Sequence, residues 1–159
     1  MSDLVSPWTV GRYSNPVGAQ SYAEQTLRAD ILWLNSYGKR SMPVIFPGFS
    51  WHNLQVSGEN PHNPGPYNQI PRKQNGVYLL DVQGLTDIKA GAQVLYVAMF
   101  DEMNEGTAIF KCSRNPPNLA DGLKFVSYEE ESDFYLKKVG ELGNKLKEAT
   151  KEFGIEIEE

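Results

Sequence analysis

The sequence predicts an α/β fold made of repeated parallel strand–loop–helix units. Three observations carry that prediction. A short apolar run, a polar loop and an amphipathic stretch follow one another three times along 159 residues. The third apolar run, Val94 to Phe100, is continuous rather than alternating, as suits a strand in a parallel sheet buried on both faces. And the unusual polar and aromatic residues gather just after the strand ends, where parallel sheets and barrels build their sites.

In the first unit, Leu4 and Val5 read as a short buried strand that stops at Ser6-Pro7-Trp8. Thr9 to Gln20 reads as a loop. A helix is expected from about Ser21 to Tyr37, because Ala23, Leu27, Ile31 and Leu34 step by three and four. Ser21 and Glu24 form a capping-box pattern at its start, and Gly38 is a plausible stop. In the second unit Val44-Ile45-Phe46 is a strand broken by Pro47-Gly48. Phe49 to Asn75 reads as a long proline-containing loop, and loops of that length are usually functional or disordered. A helix from about Gly76 to Ala90 would carry Val77, Leu80, Gly84 and Ile88 on one side. In the third unit the apolar strand ends in Asp101, Glu102 and Glu105. A loop containing Pro116-Pro117 follows. A last helix runs from about Ser132 to Phe153, with Leu136, Val139, Leu142, Leu146 and Ala149 inward and Lys and Glu outward. Residues 154–159 read as a frayed tail of one domain spanning 1–159. Two architectures fit these units, an open doubly wound sheet or part of a (β/α)₈ barrel. A complete barrel takes roughly 200 residues or more, so about three of its eight units are accounted for.

Composition narrows the chemistry. Net charge is −5 with scattered Lys and Arg, which argues against a nucleic-acid backbone as partner. A single cysteine, Cys112, excludes an intrachain disulfide and a Cys-rich metal site, and two histidines, His52 and His62, cannot form a zinc site without carboxylates. Met1 to Pro7 lacks the basic and apolar regions of a signal peptide, and no run reaches the ~18 apolar residues of a membrane span. The sequence leaves the compartment open.

The segment Asp101-Glu102-Met103-Asn104-Glu105-Gly106-Thr107 is the strongest candidate for chemistry. Two carboxylates three residues apart on a strand-end loop can face one pocket, and glycosidic cleavage commonly uses such a pair. One protonates the leaving oxygen and needs a raised pKa. The other stays ionised, and proximity pushes the two apart. Gly106 lets the backbone turn, and Thr107 can hydrogen-bond a carboxylate. A solvated acidic loop and a hard-cation site at Asp101, Glu102 and Glu105 are the competing readings. Loop aromatics, Trp8, Tyr13 and Trp51 among them, suit stacking on the apolar faces of sugars, although anchoring into the core is the commoner use of such residues. Arg12, His52, Asn53, Asp101 and Asn104 complete the expected substrate-binding set; a surface ion pair for Arg12 and a structural histidine are the plainer alternatives.

Four blocks together resemble a known family: Ser6-Pro7-Trp8-Thr9-Val10-Gly11-Arg12-Tyr13, Pro47-Gly48-Phe49-Ser50-Trp51-His52-Asn53, Asn68-Gln69-Ile70-Pro71-Arg72, and Ala98 to Lys111 with Phe100-Asp101-Glu102-Met103-Asn104-Glu105-Gly106-Thr107 at its centre. They are similar to the C-terminal half of glycoside hydrolase family 71/99-like proteins, relatives of the endo-α-mannosidases that are often labelled xylosidases. The resemblance spans about residues 3 to 150. It implies the last three βα units of a (β/α)₈ TIM barrel, retaining cleavage of an α-linked glycan or mannoside, no cofactor and no metal, and relatives that at full length are often extracytoplasmic. It assigns Glu102 as the base on the sugar 2-hydroxyl and Glu105 as acid, then base. Met103 and Asn104 stand where the mannosidases carry Trp-His. A non-catalytic carbohydrate-binding remnant is the alternative. Three units alone leave open sheet edges, so self-association or a missing N-terminal barrel half is the expected partner, beside a glycan and apart from nucleic acid and membrane.

Overall fold

The computed structural model of the chain describes residues 3–59, 62–114, 120–127 and 130–152. Pro61, Pro116, Pro117, Phe153 and the tail 154–159, to which the sequence assigned loop, helix end and frayed terminus, lie outside the described residues.

The parallel arrangement expected from the sequence is present. β1 (Leu4–Val5) pairs in parallel with β2 (Arg40–Ser41), and β3 (Val44–Ile45) pairs in parallel with β6 (Tyr96–Val97). The run from Arg40 to Ile45 therefore meets the first strand through its front half and the last strand through its back half. Arg40 N–H donates to Asp3 O (3.1 Å) and Met42 N–H to Val5 O (2.8 Å), whereas Tyr96 N–H donates to Pro43 O (3.0 Å) and Ala98 N–H to Ile45 O (2.9 Å). The central run is the most deeply buried: Val44, Ile45 and Phe46 are each enclosed.

The first helix begins earlier than its apolar spacing suggested. α1 (Pro16–Tyr22) passes through a π-helical turn, Ala23–Leu27, into α2 (Arg28–Ser36). Its start is set by chemistry at Asn15-Pro16. The Asn15 side chain accepts the Gly18 N–H at 2.8 Å, and Pro16 occupies a first-turn position where no donor is lost. The Ser21–Glu24 pair lies inside the helix and caps nothing. Ala23, Leu27, Ile31 and Leu34 are buried as their spacing predicts, and Gly38, at φ +64°, follows the helix end.

The stretch from Phe49 to Asn75 has more regular structure than a loop reading allows. It holds α3 (His52–Leu54) and a π-helical turn (Gln55–Glu59). It then enters an antiparallel hairpin of β4 (Lys73–Gln74) and β5 (Val77–Tyr78). Asn75 (φ +50°) and Gly76 (φ +81°) make its two-residue turn, the residue pair that a tight hairpin favours. This hairpin takes Gly76, Val77 and Tyr78 out of the expected helix, so α4 spans Leu79–Ala90. Leu80 and Gly84 lie on its buried face as their spacing predicts, joined by Leu79, Gln83 and Asp87, whereas Val77 stands exposed in the hairpin and Ile88 is half-buried. Gly84 permits close approach of the last helix, since a Cβ there would meet the Leu142 methyls at 2.7 Å. That last helix, α5 (Phe134–Glu152), adds Tyr135 and Leu142 to a core with Ile45, Leu80 and Ile109.

β6 is shorter than the apolar run that predicted it, and it is not buried on both faces. Tyr96 is 40% exposed and Phe100 is 60% exposed. Phe100 lies three residues beyond the end of β6, and the described residues leave both rings uncovered. No helix among the described residues is long and apolar enough to cross a membrane.

Candidate active site

The carboxylate segment forms a tight loop at the C-terminal end of β6. Its backbone closes on itself. Glu102 O accepts from both Thr107 N–H (3.2 Å) and Ala108 N–H (3.0 Å), and Phe100 O accepts from Ile109 N–H and Phe110 N–H (both 3.0 Å). Gly106 makes the reversal at φ +66°, and a Cβ there would also strike Val126 Cγ2 at 2.6 Å, so the position has neither the dihedral freedom nor the space for a side chain. Thr107 donates to the Glu102 backbone carbonyl (3.5 Å), not to a carboxylate as its sequence position suggested.

Within this loop the Glu102 carboxylate folds back over the next turn. Its Oε1 accepts the Asn104 N–H at 2.8 Å and the Glu105 N–H at 3.4 Å. Both glutamates are half-buried, while Asp101 and Asn104 are exposed. Burial pushes the Glu105 carboxyl above its ordinary value, and the negative charge of Glu102 pushes it the same way. Two carboxylates in one loop are thus unequal. One is pinned by backbone donors, and the other is biased to hold its proton. No group of three or more His, Cys, Asp or Glu residues among the described residues is arranged to hold a metal ion, so Asp101, Glu102 and Glu105 do not converge as a cation site.

Two neighbouring segments clamp the loop. Ser50 N–H donates to Glu105 O at 2.7 Å, tying the β3 loop to the carboxylate loop, and Asn68 N–H donates to Ser50 Oγ. Arg72, only 6% exposed, places Nη2 between Gly106 O (2.9 Å) and Ala108 O (2.7 Å) and lays its guanidinium over the Tyr135 ring at 4.6 Å. Gly48 lets that arginine pass, since a Cβ would meet Arg72 Cγ and Ile70 O at 2.7 Å. The sequence placed Arg72 in a family-like block but gave it no role. Nothing in the sequence separates Arg72, which turns inward, from its exposed neighbour Lys73.

The other expected site residues separate into two groups. Trp51 is half-buried, with its ring 5.6 Å from that of Phe49 and its N–H on Gln69 Oε1 (2.7 Å); it adjoins Ser50 and therefore the Glu105 backbone. Trp8 is 55% exposed, and Arg12 is exposed with its guanidinium over the Tyr22 ring at 4.9 Å. Tyr13, His52 and Asn53 are engaged by the fold itself. Tyr13 donates its hydroxyl to Gln83 Oε1 (2.9 Å) and stacks on Phe46, where burial raises the phenol far above its usual range. The His52 ring nitrogens lie 3.2 Å from Gly65 O and 3.0 Å from Gly122 O. Asn53 is buried and accepts the Lys124 N–H at 2.8 Å.

The sequence matches no family model and no curated protein. Solved structures do match. A GH99 endo-alpha-mannosidase from Bacteroides thetaiotaomicron, in complex with BIS-TRIS-propane, superposes with a TM-score of 0.63 at 20% identity over 83% of this chain. A second structure of a GH99 endo-alpha-mannosidase from the same organism gives a TM-score of 0.58 at 17% identity, again over 83% of this chain. The chain spans 38% and 35% of their respective lengths. The likeness agrees with the resemblance read from the sequence, and the fold of this chain is that of the part of those endo-alpha-mannosidase structures it covers.

Proposed function

We propose that the chain is the catalytic C-terminal portion of a retaining glycoside hydrolase with a (β/α)₈ barrel, acting on an α-linked glycan or mannoside. The observation that carries this reading is the single loop after β6 in which the Glu102 carboxylate accepts two backbone N–H groups beside Glu105, whose carboxyl is raised above its ordinary value by burial and by the Glu102 charge. In this role the Glu105 carboxylic acid gives its proton to the leaving glycosidic oxygen. Glu102, oriented by Asn104 and Glu105 N–H, draws the proton from the sugar 2-hydroxyl as that oxygen attacks the anomeric carbon. As water opens the intermediate, Glu105, now ionised, takes the proton from that water and protonated Glu102 returns its proton to the 2-oxygen, which restores both groups. Trp51, beside Ser50, offers a ring for the sugar face. Trp8, Arg12, Asp101 and Asn104 supply exposed groups for further contacts, and Tyr13, His52 and Asn53, engaged by other parts of the fold, contribute by holding the walls.

The remaining barrel units are the natural partner in this reading. Tyr96 on β6 and Phe100 just beyond its end are exposed, and β1 and β6 each pair with one strand among the described residues. Further parallel strands would cover the aromatics and continue the sheet. A second reading is a carbohydrate-binding barrel remnant without turnover. Proton NMR of products released from an α-linked glycan separates the readings. The proposal expects the α anomer to appear first and to mutarotate later. Initial release of the β anomer contradicts retention, and glycan binding with no new reducing ends supports the remnant.

A further inference from the structure

Beside the carboxylate loop lies a cavity of about 250 Å³ that none of the roles above uses. Its lining comes from Asn68, Pro71, Arg72 and Lys73, leading into the β4–β5 hairpin, and from Val126, Ser127, Glu130 and Tyr135 further along the chain. Three of these residues touch the catalytic segment directly or through one hydrogen bond. Arg72 holds Gly106 O and Ala108 O, Val126 fills the space over Gly106, and Asn68 bonds Ser50, which bonds Glu105 O.

The lining selects a ligand class. Amide, hydroxyl, ammonium and carboxylate groups surround apolar surface from Pro71 and Val126. The charges are already compensated. Lys73 pairs with Glu130 at 3.3 Å, Glu130 also accepts from the Tyr78 hydroxyl, and Arg72 is engaged by two carbonyls and an aromatic ring. An anion would have to break those pairs, and an apolar group would bury them unsolvated. A neutral ring carrying hydroxyls on an apolar face matches both features, and the volume is below that of drug-sized pockets, in keeping with a single ring. We infer that this cavity is a binding subsite for one neutral sugar residue, placed behind the carboxylate loop; the inference rests on the glycan reading above.

Ser127 is exposed at the rim, so Ser127→Trp fills the cavity without disturbing the core, and Ser127→Ala leaves it open. Amide chemical shifts of the isotopically labelled chain would be followed during titration with α-mannotriose, after a glycan array has shown whether another α-linked oligosaccharide is the better probe. The wild type and Ser127→Ala are expected to show saturable shifts at Asn68, at Lys73 and at position 127, with affinities within about twofold of each other. Ser127→Trp is expected to weaken binding at least tenfold with an unchanged melting temperature. Shifts confined to Trp51 and Asp101–Thr107, or undiminished binding by Ser127→Trp, overturn the subsite and leave the catalytic reading standing. Binding to no glycan overturns both.

Discussion

Glu105→Gln is expected to lower turnover of an α-linked glycan at least about 100-fold, the usual contribution of a positioned general acid. The substitution keeps the shape of the side chain and removes its transferable proton. Nothing that holds the loop is lost, because the bonds that fix it come from backbone: Glu105 O accepts Ser50 N–H, and Glu105 N–H reaches Glu102 Oε1. Binding of the same glycan, read by calorimetry on the variant, is therefore expected to persist. Glycans whose leaving group departs without protonation, such as nitrophenyl glycosides, should recover part of the lost rate. Cleavage of an unactivated glycan at the wild-type rate would remove Glu105 from the mechanism.

The second large effect concerns stability. Asp87 is 3% exposed on the inner face of α4, and burial raises its carboxyl from the ordinary 3.8 to about 8. The groups that sense it electrostatically are phenols, Tyr13 and Tyr22, with Arg12 stacked on the latter. No salt bridge to Asp87 is present among the described residues. The sign follows from proton binding. Below about pH 4 both the folded and unfolded chains hold the proton, so Asp87 costs nothing. Between pH 4 and 8 the unfolded chain releases it and the folded chain retains it, and stability falls as pH rises. Above pH 8 the loss is complete. At pH 7 the cost is on the order of 4 kcal/mol. Asp87→Asn keeps the shape and cannot ionise, so urea unfolding at pH 7 should show a gain of that order, with a flatter pH dependence between 5 and 8. A wild-type stability that is level over that interval would show that Asp87 has a partner in the folded state.

How much of this was legible in the sequence follows from which forces are local. The strand at Val44–Ile45 and the buried stripe Ala23–Leu27–Ile31–Leu34 are written in apolar spacing, which burial decides; Leu4–Val5 forms its strand, but Leu4 is half-buried and Val5 is 40% exposed rather than buried as expected. The carboxylate loop was legible because Glu102 and Glu105 directly follow the most apolar run, and Gly106 marks the reversal. Starts of helices were misread where a stronger local signal competed. Asn15-Pro16 overrides Ser21–Glu24, and the Asn75-Gly76 turn converts Gly76–Tyr78 from helix into hairpin. Side-chain direction was hidden where it depends on distant partners. Tyr13 and His52 sit in loops that look substrate-facing, yet Gln83, Gly65 and Gly122, far along the chain, turn them inward. Nothing in their charge marks Arg72 and Asp87 as buried. Only the three-dimensional arrangement shows that one is neutralised by carbonyls and a ring, and that the other is kept neutral by burial.

The inequality of two carboxyl groups sharing one loop can be measured without substrate. Carbon-detected NMR titration of labelled glutamate side chains should show Glu105 giving up its proton at higher pH than an ordinary glutamate, and Glu102→Gln should move that midpoint down by removing the adjacent negative charge. A Glu105 midpoint in the ordinary range, or one indifferent to Glu102→Gln, would contradict the acid–base pair on which the proposed catalysis depends.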